Sequence, residues 1–206
     1  MRFPEVRVAV SAALAVAGLT AFSNAAIAES EFVTGASGTT ATARLDFRIT
    51  IPSVIYLQVG TGLFPTDDAT IDLIDFVVPA ASVGDGNPVA ATAASGDLGD
   101  GEVTVRVLGN VGNIDLTATT ASALTNGNGD TISWGDIGVA DGGSITHPTW
   151  ADGGSTTTTL TASGGIVNLQ DTWTFTYLNN DVVPAGEYGG TGGTGNGRVT
   201  YTVAIP

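Results

Sequence analysis

The sequence has no cysteine, no lysine, one histidine, and a single methionine at its start. Without cysteine there is no disulfide framework, thiol nucleophile, iron–sulfur cluster or thiolate zinc site. Exported domains with small cores commonly rely on disulfides, so this chain must be held by sheet packing or be completed by another subunit. Basic residues are scarce as well: six arginines face 20 carboxylates. A field of that sign repels phosphate backbones and anionic lipid headgroups, which argues against nucleic acid and acidic membrane surfaces as partners. Long apolar runs are missing after residue 30, because Thr, Asp or Gly interrupts each one within a few positions. That stretch also lacks sustained 3.6-residue spacing.

One apolar run does stand near the start, Val8 to Ala21, preceded by Arg2 and Arg7 and followed by Ala26-Ile27-Ala28. This is the layout of a secretory signal peptide, and the run is shorter than the ~20 residues of a bilayer crossing. Residues 1–28 are read as a signal peptide and Glu29 as the mature N-terminus. Their removal leaves 178 of 206 residues, with 19 carboxylates against four arginines (Arg44, Arg48, Arg106, Arg198) and a formal charge near −15. The expectation is a secreted protein that reaches the cell surface through the periplasm, with no membrane insertion after cleavage. Its length fits one domain with an arm: residues 29–51 as the arm and 52–206 as the body.

Period-2 alternation dominates the mature chain. From Ala41 to Ile51 the odd positions are Ala41, Ala43, Leu45, Phe47, Ile49 and Ile51, and every even position is Thr, Arg or Asp. Such a segment has one apolar and one polar face when extended. Pro52, which cannot donate to a ladder, ends it. Further strands are expected at Val54–Val59, Ile71–Val78, Glu102–Leu108, Ile114–Thr119, Thr131–Trp134, Thr156–Ala162, Thr172–Leu178 and Arg198–Ile205, rich in Val, Ile, Thr and aromatics. Gly/Asp/Asn clusters such as Gly84-Asp85-Gly86-Asn87 and Asn126-Gly127-Asn128-Gly129-Asp130 separate them, and these residues make tight turns. Short strands at this cadence indicate an all-β fold, an antiparallel sandwich.

Chemistry-bearing residues are few. The lone His147 sits beside Pro148 near Asp141 and Ser144, without the strained nucleophile turn of a hydrolase, and is expected to be a loop residue. Asp67, Asp68, Asp72 and Asp75 could pair as glycosidase carboxylates, but they are short-armed and lie in or beside a loop. The turn Gly127 to Ile132 half resembles one repeat-type calcium turn, which needs stacked copies. Trp134 and Trp173 fall in strand-like stretches and read as core, whereas Trp150, between turns, is expected at the surface. No enzyme activity, cofactor or metal is expected.

Two ends of the chain carry a resemblance. Pro184-Ala185-Gly186-Glu187-Tyr188-Gly189-Gly190 and, after a glycine-rich insertion, Arg198 to Pro206 resemble the P-x-G-x-Y-x-G corner and final strand of bacterial chaperone–usher pilins. Arg48-Ile49-Thr50-Ile51-Pro52-Ser53-Val54-Ile55-Tyr56-Leu57 resembles the donor strand, proline and first body strand of a cysteine-free branch of that family, and Thr131 to Gly135 a mid-chain strand. The resemblance implies an immunoglobulin-like, pilin-like sandwich that lacks one strand and is finished by strand exchange. Ala43, Leu45, Phe47, Ile49 and Ile51 would then be the donor residues, and Pro184, Gly186, Tyr188 and Tyr201 the C-terminal motif. The partners would be copies of the chain itself, a periplasmic chaperone and an outer-membrane usher. Two alternatives stay open: Ala41 to Ile51 as the chain's own first strand, and a monomeric secreted module that binds a glycan or surface partner through loops such as Asp141 to Gly154.

Overall fold

The computed structural model describes residues 30–206, so the signal peptide and the cleavage before Glu29 lie outside the described residues. Internal packing divides the chain into two units, Met1–Thr50 and Ile51–Pro206. The described part of the first, residues 30–50, is exposed throughout and forms no strand. Its local order is a turn in which Thr39 donates from N (3.3 Å) and Oγ1 (2.8 Å) to the Ala36 carbonyl, and a bond from Thr42 N to the Glu31 carboxylate. The flawless alternation of 41–51 thus takes part in no ladder. A strand is stabilised by its partners, and this one has none among the described residues.

The second unit is built from ten strands: β1 (Ile55–Val59), β2 (Val89–Ala90), β3 (Glu102–Gly109), β4 (Ile114–Thr120), β5 (Leu124–Thr125), β6 (Thr131–Ile132), β7 (Ile137–Asp141), β8 (Gly154–Leu160), β9 (Val167–Tyr177) and β10 (Val199–Ala204). All pairings are antiparallel. One sheet runs β1-β3-β9-β2, with β7 also on β9, a second runs β10-β4-β8, and β5 and β6 form a small ribbon. The expected all-β sandwich is what the chain forms.

Side-chain alternation explains which faces meet. In β3, Val103, Val105 and Val107 are buried while Thr104, Arg106 and Leu108 face outward. In β4, Ile114, Leu116 and Ala118 are buried against them. Leu160, Val167, Trp173, Phe175 and Ile145 complete one core between the sheets. Each such side chain contributes roughly 1.5–3 kcal/mol of transfer free energy. The outer face of the second sheet is a threonine lattice, with Thr117 Oγ1 2.8 Å from Thr157 Oγ1 and Thr119 Oγ1 2.7 Å from Ser155 Oγ.

β1 and β10 are each an edge strand, one in each sheet. β1 borders the first sheet, where Asn110 fixes its entry by accepting from Val54 N and donating to the Pro52 carbonyl, both at 2.9 Å. β10 borders the second sheet and pairs only with β4 among the described residues. The segment Ile71–Val78, expected as a strand, alternates in burial but joins no ladder. It is tied instead by single bonds, Thr92 N to Asp75 O (2.8 Å) and Gly96 N to Leu73 O (3.2 Å).

Candidate functional site

Between the open edges of β1 and β10 lies a groove of about 630 Å³. Inward residues of the two edge strands form its walls: Leu57 and Val59 from β1, Val199 and Tyr201 from β10. Ile74 and Phe76, on the irregular 71–78 segment, extend the β1 side, and Tyr188 to Gly193 form a lip on the β10 side. Val103, Trp134, Ile137, Trp150 and Phe175 make the floor. These floor and wall residues belong to the core pattern, yet Val199, Tyr201 and Val203 are only half-buried where β4 carries the same phase fully buried. No strand lies beyond β10 among the described residues, and its inward side chains stay partly open to the groove.

The floor is organised around His147. It lies in the loop between β7 and β8, as expected, but that loop is packed inward: the His147 ring lies 4.6 Å from Trp173, 4.8 Å from Trp150, 5.7 Å from Tyr201 and 6.0 Å from Phe175, all edge-on. Its Nε2 is 2.8 Å from the Tyr201 hydroxyl. Burial pushes its pKa down to about 4, so at neutral pH the imidazole is uncharged. Burial likewise pushes the Tyr201 phenol up, and the neutral pair pins β10 to the core. Trp150, expected at the surface, stacks on Phe175 at 5.6 Å and meets Trp134 edge-on at 5.2 Å. Its indole nitrogen is buried and makes no hydrogen bond of ordinary geometry among the described residues. Trp134 and Trp173 are core residues as expected, donating from Nε1 to Ser122 O and Ile145 O, both at 2.8 Å.

The stretch that carries these rings is held by one carboxylate. Asp171 on β9 accepts from the backbone amides of Ser144 (2.8 Å) and Ile145 (2.7 Å). Burial works to raise its pKa, but the amides of Ile145, Thr172, Ser144 and Gly142 outweigh it and hold the carboxyl below its ordinary value. Nothing in this arrangement resembles a nucleophile and base: the Asp141 carboxylate accepts from the backbone of Gly143 and His147, and His147 Nε2 faces Tyr201.

Two of the four carboxylates considered for catalysis, Asp68 and Asp72, serve as local caps. Asp68 accepts from Thr70 N (2.7 Å), and Asp72 accepts from Thr61 N (2.5 Å) and Oγ1 (2.8 Å). In the calcium-like turn, Asn126 donates to Asp130 (2.8 Å) and accepts from Asn128 N (2.9 Å). Among the described residues no three His, Asp or Glu side chains converge as metal ligands, and no helix is long and apolar enough to cross a membrane.

Of the C-terminal motif residues, Tyr188 and Tyr201 line the groove, whereas Pro184 and Gly186 do not. Tyr188 donates its hydroxyl to the Pro184 carbonyl (2.8 Å), closing the corner, and lines the groove. Gly186 packs so closely on Asn126 that a Cβ there would stand 3.1 Å from that side chain. The glycine-rich insertion after Tyr188 folds back on itself, with Gly197 against Gly189, and Gly189 N donates to Thr125 O at 3.2 Å. Gly189 has φ 80° and Gly195 φ 55°, the left-handed region that favours glycine. The arm residues are elsewhere in character: Leu45 is 69%, Phe47 84%, Ile49 85% and Ile51 76% exposed, with Ala43 exposed too. Sequence reasoning misses Leu57, Trp134, Trp150 and Phe175 as lining residues, because only the placement of β1 and β10 identifies them. The chain matches no family model, no curated protein and no solved structure.

Proposed function

We propose that the chain is the structural subunit of a bacterial surface fibre, assembled when the 41–51 segment of one copy fills the β1–β10 groove of the next. One pairing of features carries this reading: an apolar groove short of one strand, and in the same chain an unpaired segment with an unbroken apolar face. Strand addition supplies main-chain hydrogen bonds for affinity and alternate side chains for register. It would remove two open edges and four large exposed apolar side chains together.

Topology supports the same reading. β1, β3 and β9 follow the order of strands A, B and E of an immunoglobulin-like sandwich, and β4 beside β10 follows C and F. The place beyond β10 is then that of the last strand, G, which no strand among the described residues occupies. The motif residues Tyr188 and Tyr201 line the groove on that same side, in keeping with the pilin resemblance. Export through the periplasm, a chaperone that covers the groove before assembly, and an outer-membrane usher belong to this proposal. The alternative, a monomeric module binding through Asp141 to Gly154, draws less support, because Ile145 and Pro148 of that stretch are buried.

Negative-stain imaging and size-exclusion chromatography of the mature protein from its native surface test the proposal. Linear polymers are expected. A uniform monomer at every concentration would contradict it.

A further inference from the structure

We infer that an ion pair between Asp46 of one copy and Arg198 of the next sets the register of the inserted segment. The inference rests on the strand-exchange reading above and adds to it the residues that choose one alignment. Residues 52–206 contain 16 carboxylates and only two arginines. One of these, Arg106, is spent on a ring, with its guanidinium carbon 4.0 Å from the centre of Phe64. The other, Arg198, is exposed at the mouth of the groove immediately before β10. In a body this acidic, its side chain has no hydrogen-bond or ion-pair partner among the described residues.

The phase of the two strands brings the charges to one face. On β10, Val199, Tyr201 and Val203 point toward the groove, so Arg198, Thr200 and Thr202 point to solvent along the open edge. In an inserted segment Leu45, Phe47 and Ile49 point inward, so Asp46 points outward, on the face that carries Arg198. Alternation fixes the face, whichever way the segment runs, and the register that sets Asp46 beside Arg198 is what the ion pair selects. Asp46 is the sole carboxylate between residues 41 and 51, is flanked by Arg44 and Arg48, and has no partner among the described residues.

The flanking arginines make the pair selective. A slip of one residue turns the apolar face outward and is rejected by the groove. A slip of two keeps the apolar face inward, so hydrophobic burial discriminates against it poorly. That slip, however, replaces Asp46 by Arg44 or Arg48 opposite Arg198 and sets like charges side by side. The polar face of the segment thus rejects the one class of error that its apolar face tolerates.

Charge reversal tests the pair in the mature protein: Asp46→Arg and Arg198→Asp, singly and together, with assembly followed by light scattering at low salt. Each single reversal is expected to slow assembly by about tenfold, and the double reversal to restore it to within about twofold of the unmodified rate. The differences should shrink in about 1 M salt, where the screening length is ~3 Å. Asp46→Asn and Arg198→Gln, which change no sign, should slow assembly by about two- to threefold. Because both positions are exposed, the melting midpoint of each monomer should stay with that of the unmodified chain, which separates misfolding from misassembly. Singles that assemble at the unmodified rate, or a double as slow as the singles, would overturn the pair while leaving strand exchange standing. An unmodified chain that never polymerises would overturn both.

Discussion

Replacing Phe47 by alanine separates a segment that serves another copy from one that belongs to its own core. In the isolated subunit Phe47 is 84% exposed, so truncation removes almost no buried area. The monomer should lose no more than about 0.5 kcal/mol, as for an ordinary surface change. Under the proposed strand exchange the same ring would fill a pocket in the next copy's groove, and emptying a buried Phe site costs about 3–5 kcal/mol. At ~1.4 kcal/mol per factor of ten, the lower figure already weakens each junction about a hundredfold. Two measurements read the two states: denaturant unfolding of the monomer, and dissociation of preformed polymers on dilution, followed by size exclusion. A monomer that loses several kcal/mol, or polymers that dissociate no faster than before, would refute the reasoning.

Two further outcomes rest on the same geometry. Ile49→Asp buries an unpaired carboxylate in the groove and should abolish polymers, whereas Thr50→Asp on the opposite face should leave them intact; imaging of both variants distinguishes the faces. His147 gives a pH signature: its folded pKa is depressed to about 4 by burial, while an unfolded histidine titrates near 6.5. The unfolded chain therefore binds the proton first. The stability this residue supports is complete above about pH 6.5 and is lost as pH falls toward 4, with a ceiling of about 3 kcal/mol. Denaturant melts across that window should show the slope in the unmodified protein and a flatter line in His147→Phe. Equal slopes would place the pH dependence in other groups.

What the sequence discloses here depends on which neighbours decide each residue's fate. Val103, Val105 and Val107 alternate against a polar phase, and β3 forms where that pattern predicts, as β4 and β10 do. Alternation reports one covered face, not a ladder. Ile71–Val78 therefore keeps its pattern, with Ile74 and Phe76 on the core, yet pairs with no strand. β7 is not legible, because Ile137-Gly138-Val139-Ala140-Asp141 is short and interrupted by glycine. The first half of β9 escapes notice too, since Asp171 puts a carboxylate into its inward phase. His147 and Trp150 lie in an aperiodic stretch, and their burial comes from rings brought in by β9 and β10, which no local pattern announces. The groove is an absence at the edge of a sheet. The ends of the chain lead one to expect it, but its lining becomes identifiable only once β1 and β10 are placed.

The absence of native cysteine makes intermolecular cross-linking the most direct measurement of the central claim. One population of the mature protein would carry Phe47→Cys in the arm, and a second Val199→Cys on the groove wall. Mixed, assembled and oxidised, they should yield a disulfide-linked pair that joins one copy of each, and neither population alone should give more than background. If no mixed pair forms although polymers are present, or if a single chain carrying both substitutions closes only on itself, the groove is not filled by the arm of another copy.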